Sequence, residues 1–285
     1  MTGAVRNVDP AEAARLVEAD SVHVLDVRTP GEYERLGHIP GAILLPVDLV
    51  ASGAATLPRD GRGVLVLCEH GVRSAHAARL LARAGLPQVL NMTGGMSRWS
   101  GARAHDPGNP FAPYGPSSWL VENAARLPRE GRCLDLACGK GRHALLLAGA
   151  GLRVHAIDND AERLAALSEI ALRLGAPLTT EALDLQGEAV DLGSGVYDAI
   201  LVFSFLHRPL FPRIAAALKP GGLLIYETFL KQQAERGQPK NPAYLLEPGE
   251  LERLVAPLEV VAAREGDFDG RLVSGVAAVR RRAER

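Results

Sequence analysis

Residues 133–148 read CLDLACGKGRHALLLA, an apolar stretch followed by a glycine-rich turn and a second apolar stretch. The first part predicts a buried strand, and Gly139 and Gly141 predict the tight turn that leads into a helix. A strand that passes through such a turn into a helix starts a βαβ unit, in which helical crossovers join parallel strands. The stretch therefore predicts an α/β fold.

The same alternation of strands and helices continues on both sides of this stretch. Strands are predicted at residues 21–28, 64–70, 132–138, 153–160, 179–186, 197–205 and 222–230, with two more at 258–266 and 271–282. Helices are predicted at 10–20, 74–85 and 117–128, and between the later strands. The expected class is α/β, with a small α/β domain followed by a doubly wound, Rossmann-like sheet.

A proline-rich strip separates the two parts of the chain. Residues 102–118 read ARAHDPGNPFAPYGPSS, with a proline at every third position from 107 to 116. This spacing favours an extended, polyproline-like backbone. We therefore expect a linker at 102–118 between domains at 1–101 and 119–285. The alternative is a surface loop packed on one domain.

Composition narrows the class of protein. The length of 285 residues is that of two domains, and 47% hydrophobic residues are ordinary for a globular chain. The net charge of −1 and the lack of a basic stripe argue against a nucleic-acid partner. No apolar run reaches the roughly 18 residues that span a bilayer, and the N-terminus lacks a signal-peptide core. These features, with only three cysteines, predict a cytoplasmic protein without a membrane partner. They leave the oligomeric state open.

Cys68 opens the loop CEHGVRS (68–74), between a predicted strand and a predicted helix that starts near Ser74. Unpaired backbone N–H groups and the positive end of the helix dipole meet there, which lowers the pKa of a thiol. Gly71 permits the tight turn, and the guanidinium of Arg73 can accompany a bound anion or persulfide. The alternative is a buried strand cysteine beside an ordinary turn.

Residues 1–101 resemble a rhodanese domain through LDVRTPGEYERLGHIPGA (25–42), CEHGVRS (68–74) and NMTGGMSRW (91–99). The resemblance implies that Cys68 carries sulfane sulfur, taken from a donor, as a persulfide. The residues expected to cradle that sulfur are Glu69, His70, Gly71, Val72 and Arg73. Those expected to be mainly scaffold are Asp26, Arg28, Glu32 and residues 37–42.

The length and charge of the Cys68 loop refine this resemblance. Six residues from Cys68 to Arg73 are typical of sulfurtransferases, whereas the related phosphatases have one residue more. Glu69 is acidic in a loop expected to favour anions, which argues against thiosulfate as the donor. His70 is either a proton donor to the leaving group or a polar residue at the mouth.

Three aspartates near the glycine turn predict the ligand of the second domain. Asp135 precedes the turn, where it would repel a pyrophosphate and attract an ammonium or sulfonium group. Asp158 ends the next strand, where it can accept hydrogen bonds from two ribose hydroxyls. Asp184 follows the third strand, where it can accept a hydrogen bond from an adenine amino group. The glycine pattern alone would equally suit a dinucleotide. The set favours an adenosine ligand with a cationic tail, although Asp184 alone could be a turn residue.

Residues 117–285 resemble class I S-adenosylmethionine-dependent methyltransferases. The resemblance implies S-adenosyl-L-methionine as cofactor and no metal. The implied cofactor-binding residues are Asp135, Gly139, Gly141, Asp158, Asp184 and Phe203. Ala137 departs from the family, which usually has its first glycine there. LACGKGRHALLLA and FSFLHRPLF resemble the tellurite-resistance and thiol methyltransferases.

The methyl acceptor is expected beyond the carboxyl ends of the strands. Residues 231–250 are polar and interrupted by prolines, which is typical of a lid. His207 would assist a protonated thiol. The other acceptor-binding candidates are Arg208, Glu227, Arg236 and Tyr244. For all five the alternative is a capping or surface residue. Cys133 and Cys138 are expected to be packed residues.

The sequence thus predicts a sulfurtransferase module fused to a methyltransferase that act on small molecules. The leading hypothesis is that sulfur or a heavier chalcogen mobilised by Cys68 becomes the methyl acceptor, as sulfide, methanethiol or a small thiol. In one alternative the first domain is only a regulatory or docking module, and the methyltransferase acts on an unrelated metabolite. In another, the pair modifies sulfur in tRNA.

Overall fold

A computed structural model describes residues 4–187 and 190–282. The predicted outer ends of the two domains, residues 1–3 and 283–285, lie outside the described residues. The chain divides into two compact units. One comprises residues up to Pro116 together with Glu169–Ala176, and the other comprises Ser117–Ser168 together with the chain from Pro177 onward.

The first unit contains a five-stranded sheet. Its strands are β1 (Arg6–Val8), β2 (Val22–Asp26), β3 (Ile43–Leu44), β4 (Gly63–Leu67) and β5 (Val89–Met92), and its helices are α1 (Pro10–Glu18), α2 (Pro30–Arg35), α3 (Val50–Gly53) and α4 (Val72–Arg83). The strands are parallel in the order β1-β5-β4-β2-β3. All five residues of β4 are buried, as expected of a central parallel strand covered on both faces.

The helix ends follow the local sequence. Asp9 caps α1 by accepting from the N–H of Glu12, and Pro10 occupies the first turn. Helix α4 begins at Val72, two residues before the predicted start near Ser74. Gly71 has φ = 89°, a left-handed conformation that ends the loop there and lets the helix begin at once.

The proline-rich strip, predicted as a linker over 102–118, belongs to the first unit up to Pro116. Ala104 pairs with His38 through two backbone hydrogen bonds, and the carbonyl of Tyr114 accepts from the hydroxyl of Thr56 at 2.9 Å. An extended proline-rich backbone makes no internal hydrogen bonds, so its carbonyls are available to neighbours. The strip is thus a packed segment, and the units divide between Pro116 and Ser117.

The second unit contains a seven-stranded sheet in the order β11-β12-β10-β9-β6-β7-β8. Its strands are β6 (Arg132–Leu136), β7 (Arg153–Asp158), β8 (Leu178–Ala182), β9 (Tyr197–Phe203), β10 (Leu218–Phe229), β11 (Glu259–Phe268) and β12 (Arg271–Val279). Its helices are α5 (Ser118–Glu122), α6 (Arg142–Gly149), α8 (Phe211–Ala217), α9 (Gln233–Arg236) and α10 (Glu250–Leu254), together with α7 (Ala161–Leu174) as far as Ser168, since the first unit includes the rest of α7.

Strands β6 to β10 are parallel, and β12 is antiparallel to β10 and β11. From the central β6 the chain proceeds to β7 and β8 on one side and then returns to β9 and β10 on the other. The predicted α/β class and doubly wound sheet are therefore confirmed. Such a reversal creates a crevice at the carboxyl ends of β6 and β9, where open α/β sheets bind ligands.

One predicted helix of the second unit is shorter than expected. Residues 117–128 form α5 and a separate 3₁₀ turn at Ala124–Arg126 instead of one helix. The side-chain amide and the backbone N–H of Asn123 both donate to the carbonyl of Trp119, which ends α5. Among the described residues no helix combines the length and apolar character needed to cross a membrane.

Candidate active sites

Cys68 follows β4 directly, and its buried sulfur lies inside the loop that leads into α4. Its Sγ lies 3.1 Å from the backbone nitrogen of Gly71, 3.4 Å from that of Ser74 and 3.4 Å from the Ser74 hydroxyl. That hydroxyl donates to the side chain of Asn91 at 2.7 Å. The loop thus surrounds the sulfur with hydrogen-bond donors.

The segment after β5 keeps the loop in this orientation. The N–H of Met96 donates to the carbonyl of Cys68 at 2.8 Å, and the N–H of Ser97 donates to the carbonyl of Glu69 at 3.0 Å. Because these carbonyls are bonded outside the loop, the loop N–H groups are left to face the sulfur. Gly95 makes the approach possible, since a Cβ there would lie 2.2 Å from the Cys68 carbonyl oxygen.

The loop lowers the pKa of the Cys68 thiol. Burial alone would raise that pKa, but the hydrogen bond between the sulfur and the Ser74 side chain, together with those from the backbone of Ser74, His70 and Gly71, outweighs burial. By contrast, burial raises the pKa of Cys133 to about 12, and it also raises that of Cys138. The sulfur of Cys68 is therefore the one poised to react as a thiolate.

Two arginines beside the loop are paired with carboxylates. Arg73 makes two bonds to Glu32, at 2.5 and 2.8 Å, and this pairing lowers the pKa of Glu32 to about 2. Arg28 is fully buried; it bonds both oxygens of Asp26 and donates to Glu69 at 2.8 Å. Glu32, which the resemblance implied to be scaffold, is thus the direct partner of the predicted catalytic Arg73.

The remaining loop candidates lie at the surface. His70 is exposed, and its Nδ1 lies 3.3 Å from the hydroxyl of Ser97. Val72, the first residue of α4, is 77% exposed. Both side chains are thus open to solvent within four residues of Cys68, and their expected contact with a donor stays a prediction.

In the second unit Asp135 lies near the end of β6 and is completely buried. Its Oδ2 is buried without a hydrogen-bond partner, and burial raises the pKa of the carboxyl to about 7. A buried carboxylate oxygen without a donor is costly unless a ligand supplies one. This atom is therefore suited to the ammonium end of a cofactor.

The glycine turn next to Asp135 leaves room for that cofactor. Gly139 has φ = 57°, and a Cβ there would meet no atom within 4 Å, so the backbone borders open space. The N–H of Gly139 donates to Oδ2 of Asp158 at 2.8 Å, and the N–H of Asp160 donates to its Oδ1 at 3.0 Å. Each carboxylate oxygen keeps a lone pair for a ribose hydroxyl. These residues fit S-adenosyl-L-methionine.

Two further positions shape the turn. Gly141 has φ = 77°, and a Cβ there would lie 2.4 Å from the side chain of Leu167, so a larger residue would have to displace that side chain. Ala137, where the methyltransferase family usually has glycine, has φ = 55°. The alanine thus accepts a left-handed backbone that is unfavourable for any residue with a Cβ.

The other predicted cofactor residues differ in exposure. Asp184 is exposed after β8, and its Oδ1 accepts from the N–H of Gln186, as a turn aspartate does. Phe203 ends β9 and is buried, with its ring 4.2 Å from that of His143. Ser204, the next residue, has φ = 57°, a strained value at the crevice that the sequence did not reveal.

His143 was not predicted from the sequence, although it lies in the quoted stretch. It is buried on α6, and its Nε2 accepts from the N–H of Ser117 at 3.1 Å. Burial and then the charges of Arg142 and Arg271 lower the pKa of His143 well below its usual range. A neutral His143 therefore holds both Ser117 and Phe203 in position.

Three of the predicted acceptor-binding residues are engaged by the protein itself. Glu227 is buried, accepts from the Ser117 hydroxyl at 2.8 Å and pairs with Arg264. The guanidinium carbon of Arg264 in turn lies 4.9 Å from the ring centre of Trp119 and 4.2 Å from that of Phe268. Glu227 thus joins β10, β11 and the start of α5, which corrects its expected role as a free pocket carboxylate.

Arg208 and Arg236 also make internal pairs. Arg208 pairs with Glu250 and donates to the carbonyls of Ala243 and Leu245, at 3.1 and 3.0 Å. It therefore holds the segment that was predicted to be a lid. Arg236 is half-exposed and pairs with Asp267. Both guanidinium groups are engaged within the protein in this arrangement, and their expected role at the acceptor stays a prediction.

The last two acceptor candidates have no such pair among the described contacts. His207 is half-buried and precedes the 3₁₀ turn at Arg208–Leu210. Tyr244 is 40% exposed in the segment 231–250. That segment is tied at its base, where Leu246 exchanges backbone hydrogen bonds with Phe229 and Lys231.

Two arginines near the crevice were missed by sequence reasoning. Arg142 starts α6, and burial followed by the positive charge of Arg271 lowers its pKa. Arg271 starts β12 and lies 3.8 Å from carboxylate oxygens of Glu227 and Asp269. Only the antiparallel pairing of β12 with β10 brings Arg271 to this end of the sheet, so no local pattern could have revealed it.

Comparison with known proteins agrees with this division of the chain. Residues 9–102 match the family model of the rhodanese-like domain, and residues 133–222 match that of a methyltransferase domain. A sulfurtransferase of Allochromatium vinosum is 37% identical over 86 residues, which are 30% of this chain and 78% of that protein.

Two further relatives are similar to one part each. Thiosulfate sulfurtransferase GlpE of Shewanella oneidensis is 33% identical over 93 residues, which are 33% of this chain and 90% of that protein. The crystal structure of an S-adenosylmethionine dependent methyltransferase from Mesorhizobium loti has a TM-score of 0.48 and 17% identity, over 57% of this chain and 98% of that one.

Proposed function

Because the chain belongs to the rhodanese-like family through its first unit and carries a methyltransferase domain in its second, we propose that it mobilises sulfane sulfur on Cys68 and methylates a small thiol, sulfide or related chalcogen. Both units belong to enzyme families, and the cofactor of the methyltransferase is S-adenosyl-L-methionine. The finer assignment to the tellurite-resistance and thiol methyltransferase type is part of this proposal.

The observation that carries the sulfur half is the set of donors around Cys68. Backbone N–H groups of Gly71 and Ser74 lie 3.1 and 3.4 Å from Sγ. A thiolate held in this way attacks sulfane sulfur, and the same donors then stabilise the negative charge of the resulting persulfide. The guanidinium of Arg73 lies beside the loop, where Glu32 pairs with it.

The proposal of a sulfur-containing methyl acceptor is supported by the hydrogen bonds that the side chains near the strand ends make within the protein. When bound, the cofactor supplies an electrophilic methyl group on a sulfonium. An alcohol or amine acceptor would call for a general base, yet Glu227 is occupied by Ser117 and Arg264, and the Nε2 of His143 by the Ser117 N–H. A sulfide or thiolate is nucleophilic near neutral pH without a base, and His207 would assist only a protonated thiol.

The protein's own residues then bind the cofactor, orient it towards the acceptor and exclude water. Asp135 and Asp158 hold the cofactor, and the turn from Ala137 to Gly141 borders it. Phe203, fixed by His143, forms an apolar wall at the crevice. We propose small-molecule partners and a sulfane donor, with no nucleic acid or membrane, in the cytoplasm.

An acceptor screen tests this function. Labelled S-adenosylmethionine is offered to the full chain with sulfide, methanethiol, selenite, tellurite or bulk tRNA. The proposal expects label in volatile or small methylated chalcogens and none in tRNA. Label in tRNA alone, or in no chalcogen while an unrelated metabolite is methylated, would overturn it in favour of one of the two alternatives.

A further inference from the structure

We propose that Cys68 takes its sulfur from a thiol persulfide, R–S–SH, rather than from thiosulfate or another small oxyanion, an inference that rests on the proposed sulfur-carrier function of Cys68. It is carried by the pairing of charges around the loop. The guanidinium groups of Arg28 and Arg73, beside Cys68, are each bound to carboxylates of the protein, so neither offers uncompensated positive charge to a dianionic donor.

Arg73 is the first of these cations. Two of its nitrogens bond the two oxygens of Glu32, at 2.5 and 2.8 Å. Glu32 is itself fixed, because it forms a capping box with Thr29 at the start of α2. A sulfonate group could reach Arg73 only by competing with this bidentate pair, which is the strongest geometry for an arginine and a carboxylate.

Arg28 is the second cation. Its guanidinium has no exposed surface, bonds both oxygens of Asp26 and donates to Glu69 at 2.8 Å. The Glu69 side chain keeps 19% of its surface exposed, that of Glu32 keeps 21% and that of Arg73 keeps 35%. An incoming donor therefore meets one cation together with two carboxylates, while the buried Arg28 cannot turn towards it.

These charges affect both the donor and the leaving group. Thiosulfate approaches as a dianion and leaves sulfite, also a dianion, so its reaction needs positive charge at the mouth. A thiol persulfide leaves a thiolate, which takes one proton and departs as a neutral thiol group. Val72, 77% exposed at the mouth, offers an apolar contact to the carbon substituent of such a donor.

The transfer step balances without another reactant. The Cys68 thiolate attacks the terminal sulfur of R–S–SH and forms a new S–S bond. The S–S bond of the donor breaks, and its electron pair leaves with R–S⁻, which is protonated by solvent. Cys68 becomes the persulfide Cys–S–SH, while the donor is reduced to a thiol.

The test uses the full chain with two donors, cysteine persulfide and sodium thiosulfate. Persulfide formation is measured by intact mass, and kcat/KM by release of cysteine or sulfite. We expect kcat/KM to be at least about 100-fold higher for cysteine persulfide, because like charges at the mouth slow the approach of the dianion. A wild-type preference for thiosulfate would overturn the proposal.

The double variant Glu32→Gln with Glu69→Gln tests whether the negative charges of these two residues cause the preference for cysteine persulfide. Glutamine at position 32 can still complete the capping box, so the fold is kept while two negative charges are removed. The ratio of kcat/KM for thiosulfate to that for cysteine persulfide should rise at least about tenfold. Glu12→Gln, an exposed carboxylate paired with Arg6, is the matched control and should leave the ratio unchanged.

The outcomes separate this proposal from the one on which it rests. If Cys68 gains sulfur from neither donor, the sulfur-carrier function fails. If it gains sulfur readily from thiosulfate, or if the double variant shows the wild-type ratio, only the donor assignment fails. Arg98, an exposed cation of the 3₁₀ helix Gly95–Arg98, would then be the residue to replace next.

Discussion

The carboxylate of Asp158, at the end of β7, accepts a hydrogen bond from the backbone N–H of Gly139 at 2.8 Å. One side chain therefore both fixes the glycine turn after β6 and stands where a ribose is expected. Binding of the cofactor and order of the turn depend on the same buried carboxylate. A variant that tests cofactor binding must therefore keep the shape of the Asp158 side chain.

Asp158→Asn meets this condition and should weaken S-adenosylmethionine binding by about tenfold or more, or about 1.4 kcal/mol. The amide is a poorer acceptor for hydroxyls, and its NH₂ group faces the Gly139 donor or a ribose hydroxyl. Isothermal calorimetry measures the change. Asp191→Asn, an exposed turn aspartate of the same unit, is the control. An unchanged Kd in Asp158→Asn would mean that the ribose is bound elsewhere.

Cofactor affinity should depend on pH through Asp135. Burial raises the pKa of this carboxyl to about 7, so it is largely protonated below that pH and ionised above it. Only the ionised form attracts the cofactor's cationic end. Affinity should therefore fall as pH drops from 8 to 6, and this slope should vanish in Asp135→Asn. A wild-type Kd independent of pH over this range would contradict the role of Asp135.

The same group predicts a change in stability in the absence of cofactor. Its folded pKa lies above the unfolded value, so its contribution to stability is present below about pH 4 and is lost as pH rises towards 7. Asp135→Asn removes the buried charge and should raise the free energy of unfolding at pH 8 by on the order of 2 kcal/mol. Urea unfolding at pH 5 and 8 measures it, with a smaller gain expected at pH 5.

Cys68 should be the thiol that reacts. A sulfane donor should add one sulfur atom to the full chain, and Cys68→Ser should abolish the addition, because the other two thiols have raised pKa values. Intact mass decides this, with Cys133→Ala and Cys138→Ala as controls. Sulfur retained in Cys68→Ser would place the carrier elsewhere. Methylation of added free sulfide should survive in Cys68→Ser, whereas methylation from the sulfane donor should not.

Ala137→Gly should stabilise the second unit. Ala137 has φ = 55°, and a left-handed conformation costs a residue with a Cβ about 1 kcal/mol relative to glycine. The gain in the free energy of unfolding should be about 0.5–1 kcal/mol, since glycine also loses more entropy on folding. Ala148→Gly, within α6, should lower it by a similar amount. Equal losses in both variants would show that the turn is unstrained.

Much of the architecture was predictable because parallel strands covered on both faces need continuous apolar runs. The runs ending in Leu67, Leu136 and Phe203 are of this kind, and each lies in the interior of its sheet. The positions of the Cys68 loop and of the turn at 137–141 followed from glycines beside those strand ends. The strip at 102–116 was harder, since its spacing describes a backbone conformation and carries no information on which surface it packs against.

The sequence by itself determined the two α/β units and the order of their elements, because apolar periodicity and turn residues act over a few neighbouring positions. Only the tertiary structure decided which charges are free. Glu32 and Arg73 are 41 residues apart, and Ser117 and Glu227 are 110 apart. Such pairs depend on which strand ends become neighbours in the folded sheet. A carboxylate or guanidinium without a partner in the neighbouring sequence can thus be neutralised by a residue that no local pattern identifies.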